Sequence, residues 1–189
     1  MSAGPTLPDY IIRPAAPADL DRLVALLLEL QDHVEESNPD TWRMTAAGRA
    51  EQRQQIASRL GAERTCALVA EHPEVGVVGC LFARIIVNNR YDPPRAGFFD
   101  QLAVRADHRR AGVATRLVAA ACRFFAEQGV DDLSLRCIAG NAEAAAFWAA
   151  LGFTPRIITA GSPRARVEAK TQDLRGLGGL GGLRRFPHD

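Results

Sequence analysis

Apolar residues recur at helical spacing from Leu20 through Leu23, Leu27 and Leu30 to Val34, which puts one buried stripe on a helix. Pro17 suits the first helical position, Asp19 and Asp21 suit the first turn, and Asn38-Pro39 ends the element. Ahead of it, Tyr10 to Arg13, closed by Pro14, predicts an opening strand. Thr45 to Leu60 is helical by propensity but carries little apolar surface beyond Ile56 and Leu60, so it predicts a cover over the core. Thr65 to Ala70 and Val75 to Val87 flank the turn His72-Pro73-Glu74 and predict a hairpin. A third strand, Gly97 to Arg105, follows the loop Asn88 to Arg95. The period then returns to helical: Val113, Leu117, Ala120 and Phe124 form one stripe with Arg116, Arg123 and Glu127 opposite, and Gly129 supplies the stop. Leu133 to Ile138 predicts a strand, Ala142 to Leu151 a helix closed by Gly152, and Phe153 to Ala160 and Arg166 to Leu174 two last strands. This order predicts an α/β fold with a mixed central β-sheet flanked by helices. Residues 1–9 are expected to be a flexible N-terminus and 10–174 a single domain. Residues 175–189 are expected to be a Gly/Leu-rich low-complexity tail, because paired glycines between leucines support no regular element.

Composition narrows the function classes. The chain has 189 residues, 47% hydrophobic and 24% charged, with a formal net charge of +1; this is a globular composition without the bulk charge that draws a protein to nucleic acid or a membrane surface. Neither nucleic acid nor membrane is an expected partner. The apolar stretch Leu20 to Leu30 is interrupted by Asp21, Arg22 and Glu29 and is too short to span a bilayer. With no secretory pattern at the N-terminus, a cytoplasmic location is expected. Cys66, Cys80, Cys122 and Cys137 form no C-x-x-C pair and read as buried reduced thiols, and the four histidines are scattered. No metal is expected.

Chemistry concentrates between Phe98 and Leu117. A strand ending Leu102-Ala103-Val104 runs through a polar turn into Arg109-Arg110-Ala111-Gly112-Val113-Ala114-Thr115, which opens a helix. Unpaired backbone N–H groups and the positive end of the helix dipole converge there and suit a phosphate, with Arg109 and Arg110 adding charge. The alternative is an ordinary strand-to-helix turn that uses glycine for its geometry. A second feature is acidic: Asp32, Glu35, Glu36 and Asp40 cluster at the end of the first helix beside His33. Acids there oppose the helix dipole by about 0.3 to 1 kcal/mol each, so helix stability does not call for them. They fit a cationic substrate or a solvated polar loop.

The turn resembles the acyl-CoA-binding motif of the GCN5-related N-acetyltransferase superfamily, with Arg109, Gly112 and Ala114 at the motif's positions. Asn141, Ala144, Trp148, Gly152 and Phe153 fall where that family has Asn, Ala, Tyr, Gly and Phe, and the element order from about Tyr10 to Leu174 agrees with its fold. The resemblance implies acetyl-CoA, or another acyl-CoA, as cosubstrate in a cleft between the strands Gly97–Arg105 and Leu133–Ile138. Pantetheine would pair like an added strand with Leu102, Ala103 and Val104, and Asn141, Ala144 and Trp148 would line the cofactor site. It also implies direct attack by a primary amine of a small molecule or peptide within a ternary complex. A backbone N–H near Leu102 would face the oxygen on which charge develops. The segment joining the first two helices would border the acceptor, bringing in His33, Glu35, Glu36 and Asp40.

Proton costs rank the catalytic groups. Deprotonating an alkylammonium of pKa near 10.4 at neutral pH costs roughly 4 to 5 kcal/mol, against about 2 kcal/mol for the departing thiolate. The base is the larger need, and Asp100, where many relatives place a Glu or Asp, is its candidate, acting directly or through water. The chain departs from the family at the acid: Trp148 stands where relatives often have a proton-donating tyrosine. Its indole can hydrogen-bond the thiolate or pack in the core. Tyr91, in the loop before the catalytic strand, and water are the other sources of a proton. A non-catalytic acyl-CoA-binding or sensing module is the alternative function, and a homodimer is left open.

Overall fold

The computed structural model describes residues 10–38, 40 and 43–177. Five strands lie side by side in sequence order in one sheet: β1 (Ile11–Pro14), β2 (Thr65–His72), β3 (Gly76–Val87), β4 (Arg95–Val104) and β5 (Leu133–Leu135). The first four pair antiparallel, and β5 joins β4 parallel. The mixed sheet flanked by helices is the predicted fold class.

Each face of the sheet is covered by different helices. A 3-10 turn, Pro17–Asp19, leads into α1 (Leu20–Ser37), which buries Leu23, Leu26 and Leu27. With α2 (Ala46–Arg59), capped by the Thr45 hydroxyl accepting from the Gly48 N–H, α1 packs on Val69, Cys80, Phe82 and Ala103. The covering role predicted for α2 holds, since only Gln52 and Ile56 are buried on it. Helix α3 (Val113–Glu127) covers the opposite face, setting Val113, Leu117, Val118, Ala121 and Phe125 against Leu68, Val78, Leu81, Ala83, Ile85 and Phe99. Helix α4 (Ala142–Ala150) adds Phe147 and Trp148 at the margin of that core.

Two irregularities shape the cleft side. In β4, Phe82 pairs with Gln101 but Ala83 with Phe99, so Asp100 is an extra residue, a bulge that bends the strand. Gly97 sits where β4 and β5 touch: a Cβ there would lie 2.6 Å from Leu133 Cδ2 and 2.8 Å from Phe125 Cε1. Only a residue without a side chain lets the two strands and α3 close at that point.

Three expectations need correction. Strand β5 stops at Leu135 instead of reaching Ile138, because β4 diverges at the bulge and leaves residues 136–138 without a partner. Neither last strand forms. Residues 154–163 have no regular structure, Pro155 removes a ladder donor, and Ile157 and Ile158 are 88% and 87% exposed. From Arg164 to Leu177 the chain is helical, α5. Pro163 stands ahead of it, the Arg166 and Val167 N–H groups donate to the Pro163 carbonyl, and Arg164 pairs with Glu168 one turn on. The segment is rich in Ala, Arg, Glu, Lys and Gln and lacks period-two alternation, so local propensity decides. Contacts divide the chain into two units between Phe153 and Thr154. The expectations for residues 1–9 and for the end of the tail, 178–189, lie outside the described residues.

Candidate active site

Strand β4 carries the site because half of it has no neighbour. Its pairing with β5 covers only Gly97, Phe98 and Phe99. From the Asp100 bulge to Val104, the side of β4 that faces away from β3 has no strand beside it among the described residues. Backbone groups there keep the capacity of a sheet edge to bind an extended chain. Leu102, Ala103 and Val104 all lie on this open stretch, with Leu102 and Val104 packed against the α3-side core.

The same strand runs into the turn predicted to hold phosphate. A 3-10 turn, Ala106–His108, leads to Arg109; Arg110 has φ +60 and Gly112 φ +76, both left-handed. Gly112 is the N-cap of α3, and no side chain caps it. Intrahelical bonding from this end begins with Arg116 N–H to the Gly112 carbonyl at 3.0 Å, so the N–H groups of Val113, Ala114 and Thr115 precede the helical ladder. The turn is braced from behind by Tyr10, whose hydroxyl shares a 2.9 Å hydrogen bond with His108 Nδ1. Arg105 also clamps Asp107 at 2.6 Å. Arg109 points across the cleft mouth: its Nε donates to the Val104 carbonyl (3.2 Å) and its guanidinium lies 3.6 Å from Glu143 on α4. Arg110 is exposed on the turn, and Ala111 is half-buried against the α3-side core.

On the other face, the bulge turns Asp100 and Gln101 toward the same guanidinium. Arg59 of α2 donates to Asp100 Oδ2 and to Gln101 Oε1, each at 2.7 Å, while lying 4.6 Å over the Phe82 ring. Burial pulls the Arg59 guanidinium below its usual range and Asp100 draws it back up. The second Asp100 oxygen is 3.4 Å from Arg84, and the side chain is 12% exposed. Asp100 therefore sits between two cations.

These features meet the comparisons with known proteins. The model of the acetyltransferase (GNAT) family matches residues 27–153, more than half of the chain. The chain belongs to the GNAT family. No curated protein matches the sequence. Among solved structures, a tetramutant of the BH1408 protein from Bacillus halodurans superposes with TM-score 0.72 at 17% identity, covering 81% of this chain and 99% of that one. The aminoglycoside 6'-N-acetyltransferase AAC(6')-IG from Acinetobacter haemolyticus gives 0.64 at 20% identity, with 82% and 98% covered. A GCN5-related N-acetyltransferase from Ralstonia eutropha JMP134 gives the same TM-score and identity, with 82% and 99% covered. At these identities the likeness is one of fold.

The remaining predicted residues of this GNAT chain divide. Asn141 caps α4, its Oδ1 accepting from the Ala144 N–H at 3.0 Å, so the two motif residues serve the helix start together. Trp148 stacks among Phe99 (5.4 Å), Phe147 (5.1 Å) and Phe153 (5.3 Å). Tyr91 is 71% exposed in the β3–β4 loop, ahead of Arg95; five strand residues, about 16 Å, separate Arg95 from Asp100. The structure does not bring Tyr91 and Asp100 together.

The acids at the end of α1 are largely engaged with their own loop. Asp32 pairs with Arg49 at 2.6 Å, and Glu35 accepts from the Met44 N–H and the Gln31 amide, both at 2.8 Å. Those bonds hold the Glu35 carboxyl below the usual carboxylate range. A cavity of about 460 Å3 opens here, lined by Asp32, Glu35, Glu36 and Arg43. Glu36 and Asp40 are exposed and His33 is half-buried. The same helix end reaches the turn after β5: Asn38 Nδ2 donates to the Ala139 carbonyl at 2.9 Å, and a Cβ on Gly140 (φ +100) would lie 2.5 Å from the Ser37 carbonyl oxygen.

Sequence reasoning missed Arg59, Gln101, Arg84, Arg136 and Glu143. Adjacent polar residues Asp100-Gln101 inside an apolar strand were a visible sign of the bulge. A lone Arg84 in the β-branched run of β3 was another sign. Nothing local marks Arg59. Cys137 is exposed rather than buried. Burial pushes the Cys66 thiol up to about 11 and that of Cys80 to about 12, leaving both inert. Among the described residues, no group of three His, Cys, Asp or Glu side chains could hold a metal ion, and no helix is long and apolar enough to cross a membrane.

Proposed function

We propose that the protein transfers an acetyl group from acetyl-CoA to a primary amine of a small molecule or peptide, in a ternary complex. The observation that carries this is the continuity of one strand: the unpaired edge of β4, residues 100–104, leads through the left-handed Gly112 to the free N–H groups that open α3. That surface fits an extended pantetheine followed by a pyrophosphate. Bound there, acetyl-CoA supplies the thioester acyl group. Val113, Ala114 and Thr115 N–H groups hold the pyrophosphate, with Arg110 adding charge, and Arg109 joins them on release from Glu143. The backbone near Leu102 offers an N–H to the carbonyl oxygen as charge develops on it. Asp100 takes the amine's proton through a water, and Arg59, itself held by Gln101, fixes its position. Trp148 sits in an aromatic cluster, so water rather than a side chain delivers the proton to the sulfur.

The packing of Trp148 also favours a second reading, an acyl-CoA-binding sensor without turnover. A thiol-release assay with acetyl-CoA and a panel of amines, run beside calorimetry of CoA binding, separates the two. Release with any amine supports the enzyme. Tight CoA binding without release supports the sensor, and absence of CoA binding removes both. A cytoplasmic location and a homodimer belong to the same proposal; fractionation and sedimentation test them.

A further inference from the structure

Phe98 lies on the α1–α2 face of the sheet, beyond the part those helices cover, and a guanidinium stands over its ring from each neighbouring strand. Arg84, its register partner on β3, has its Cζ 5.2 Å from the ring centroid. Arg136, just past the end of β5, is 5.9 Å from it. Both arginines are exposed, and Ile86, two residues beyond Arg84, is also open to solvent. With Arg59 behind, this floor holds, among the described residues, three guanidinium groups and the Asp100 carboxylate, which is bonded to Arg59 and close to Arg84. Arg136 has no carboxylate within ion-pairing distance among the described residues. A guanidinium lying on an aromatic face keeps its N–H edges free and held in place, which is the arrangement that binds a carboxylate in bidentate fashion.

From this geometry we infer that the acceptor carries a carboxylate close to its amine, as a free amino acid or a short peptide with a free C-terminus does, and that Arg136 and Arg84 receive it. The inference rests on the acetyl-transfer reading, in which the amine lies at Asp100. Arg84 touches Asp100, so the anionic group and the reacting nitrogen belong to the same small molecule. The acids at the end of α1 do not compete for this role, since Asp32 and Glu35 are bonded to Arg49 and to the loop backbone.

Matched acceptors test it: β-alanine against β-alaninamide, and alanylglycine against its amide, each with acetyl-CoA. At least one free acid is expected to exceed its amide tenfold or more in kcat/KM, and Arg136→Gln is expected to reduce that ratio to about one, with Arg136→Lys restoring part of it. Calorimetry of acetyl-CoA binding to each variant checks that the fold and cofactor site are intact. Equal use of acid and amide by the unaltered protein overturns the inference, as does a ratio that survives in Arg136→Gln. If no acceptor is turned over, binding of the same pairs to the CoA-loaded protein decides. Retention of the free acid alone keeps the anion site while removing the enzyme, and retention of neither acid nor amide overturns the anion site.

Discussion

The two faces of the sheet are built on opposite principles. Under α3 the contacts are apolar throughout, and Phe99, Leu81, Leu117 and Phe125 are buried. Under α1 and α2 the apolar contact includes Val69, Val77, Cys80, Phe82 and Ala103, and beyond it the same face turns to Arg59, Asp100, Arg84 and Arg136. Burying charge is costly unless it is paired, and on the second face the largely buried Asp100 is paired with Arg59 and Arg84. The lesson is that one face holds the strand in place and the other uses it, and the single extra residue at position 100 lets both be served by β4.

The largest expected effect bears on the second face. Asp100→Asn is expected to lower turnover by about 10²- to 10⁴-fold with CoA affinity nearly unchanged; Trp148→Phe, read beside it in steady-state assays, should cost much less. A Trp148→Phe enzyme that stays folded yet loses more activity than Asp100→Asn would reverse the roles assigned to the two. On the first face, Leu117→Ala removes a wholly buried side chain. It should cost roughly 2 to 5 kcal/mol of stability by denaturant titration. A loss below about 1 kcal/mol would mean that α3 is not packed as described.

Gly112→Asp joins the two faces at the turn. It puts a negative charge and a side chain at a left-handed position beside the α3 N–H groups, and calorimetry should show CoA binding at least tenfold weaker, with heat stability changing less. Equal affinity would misplace the phosphate. The smallest effect lies at the entrance to α1, where Asp19 is 8% exposed and accepts two hydrogen bonds from Arg13, at 2.7 and 2.9 Å. These hold its carboxyl below the ordinary 3.8. The pair's contribution is thus present above that value and lost as pH falls through the lower, folded-state value. Asp19→Asn should cost about 1 kcal/mol at neutral pH, given that Arg13 is a third exposed, and should flatten the acid limb of stability against pH. An acid limb identical to that of the unaltered protein would show that Asp19 titrates alike folded and unfolded.

Periodicity made most of this legible. The α1 stripe, the β2–β3 hairpin and the α3 stripe all form at their expected places, because each buries one continuous face. The Gly112 turn was legible because a left-handed position and a helix start leave a local mark. Partnership was not. Leu133 to Cys137 alternate as a strand should, yet β5 ends at Leu135 because its neighbour bends away. Phe153 to Ala160 has β-branched residues, but a strand needs an edge to join, and Pro155 removes a donor. The Arg59–Asp100–Arg84 cluster joins α2, β4 and β3, positions 25 and 16 residues apart, so no spacing could announce it. The acids of α1 were conspicuous in sequence for a reason the fold explains differently, since Asp32 and Glu35 fasten the connection to α2.

Gly97 gives the cleft its pivot. The two strands that bound the proposed cofactor groove meet at this residue, with Leu133 and Phe125 occupying the space a Cβ would need. They part only a few positions later, like blades beyond their rivet. The aperture available to a ligand is therefore governed from a position that lines no part of it. A methyl group added at Gly97 would act as a shim, forcing the blades to a new angle without replacing any side chain of the site.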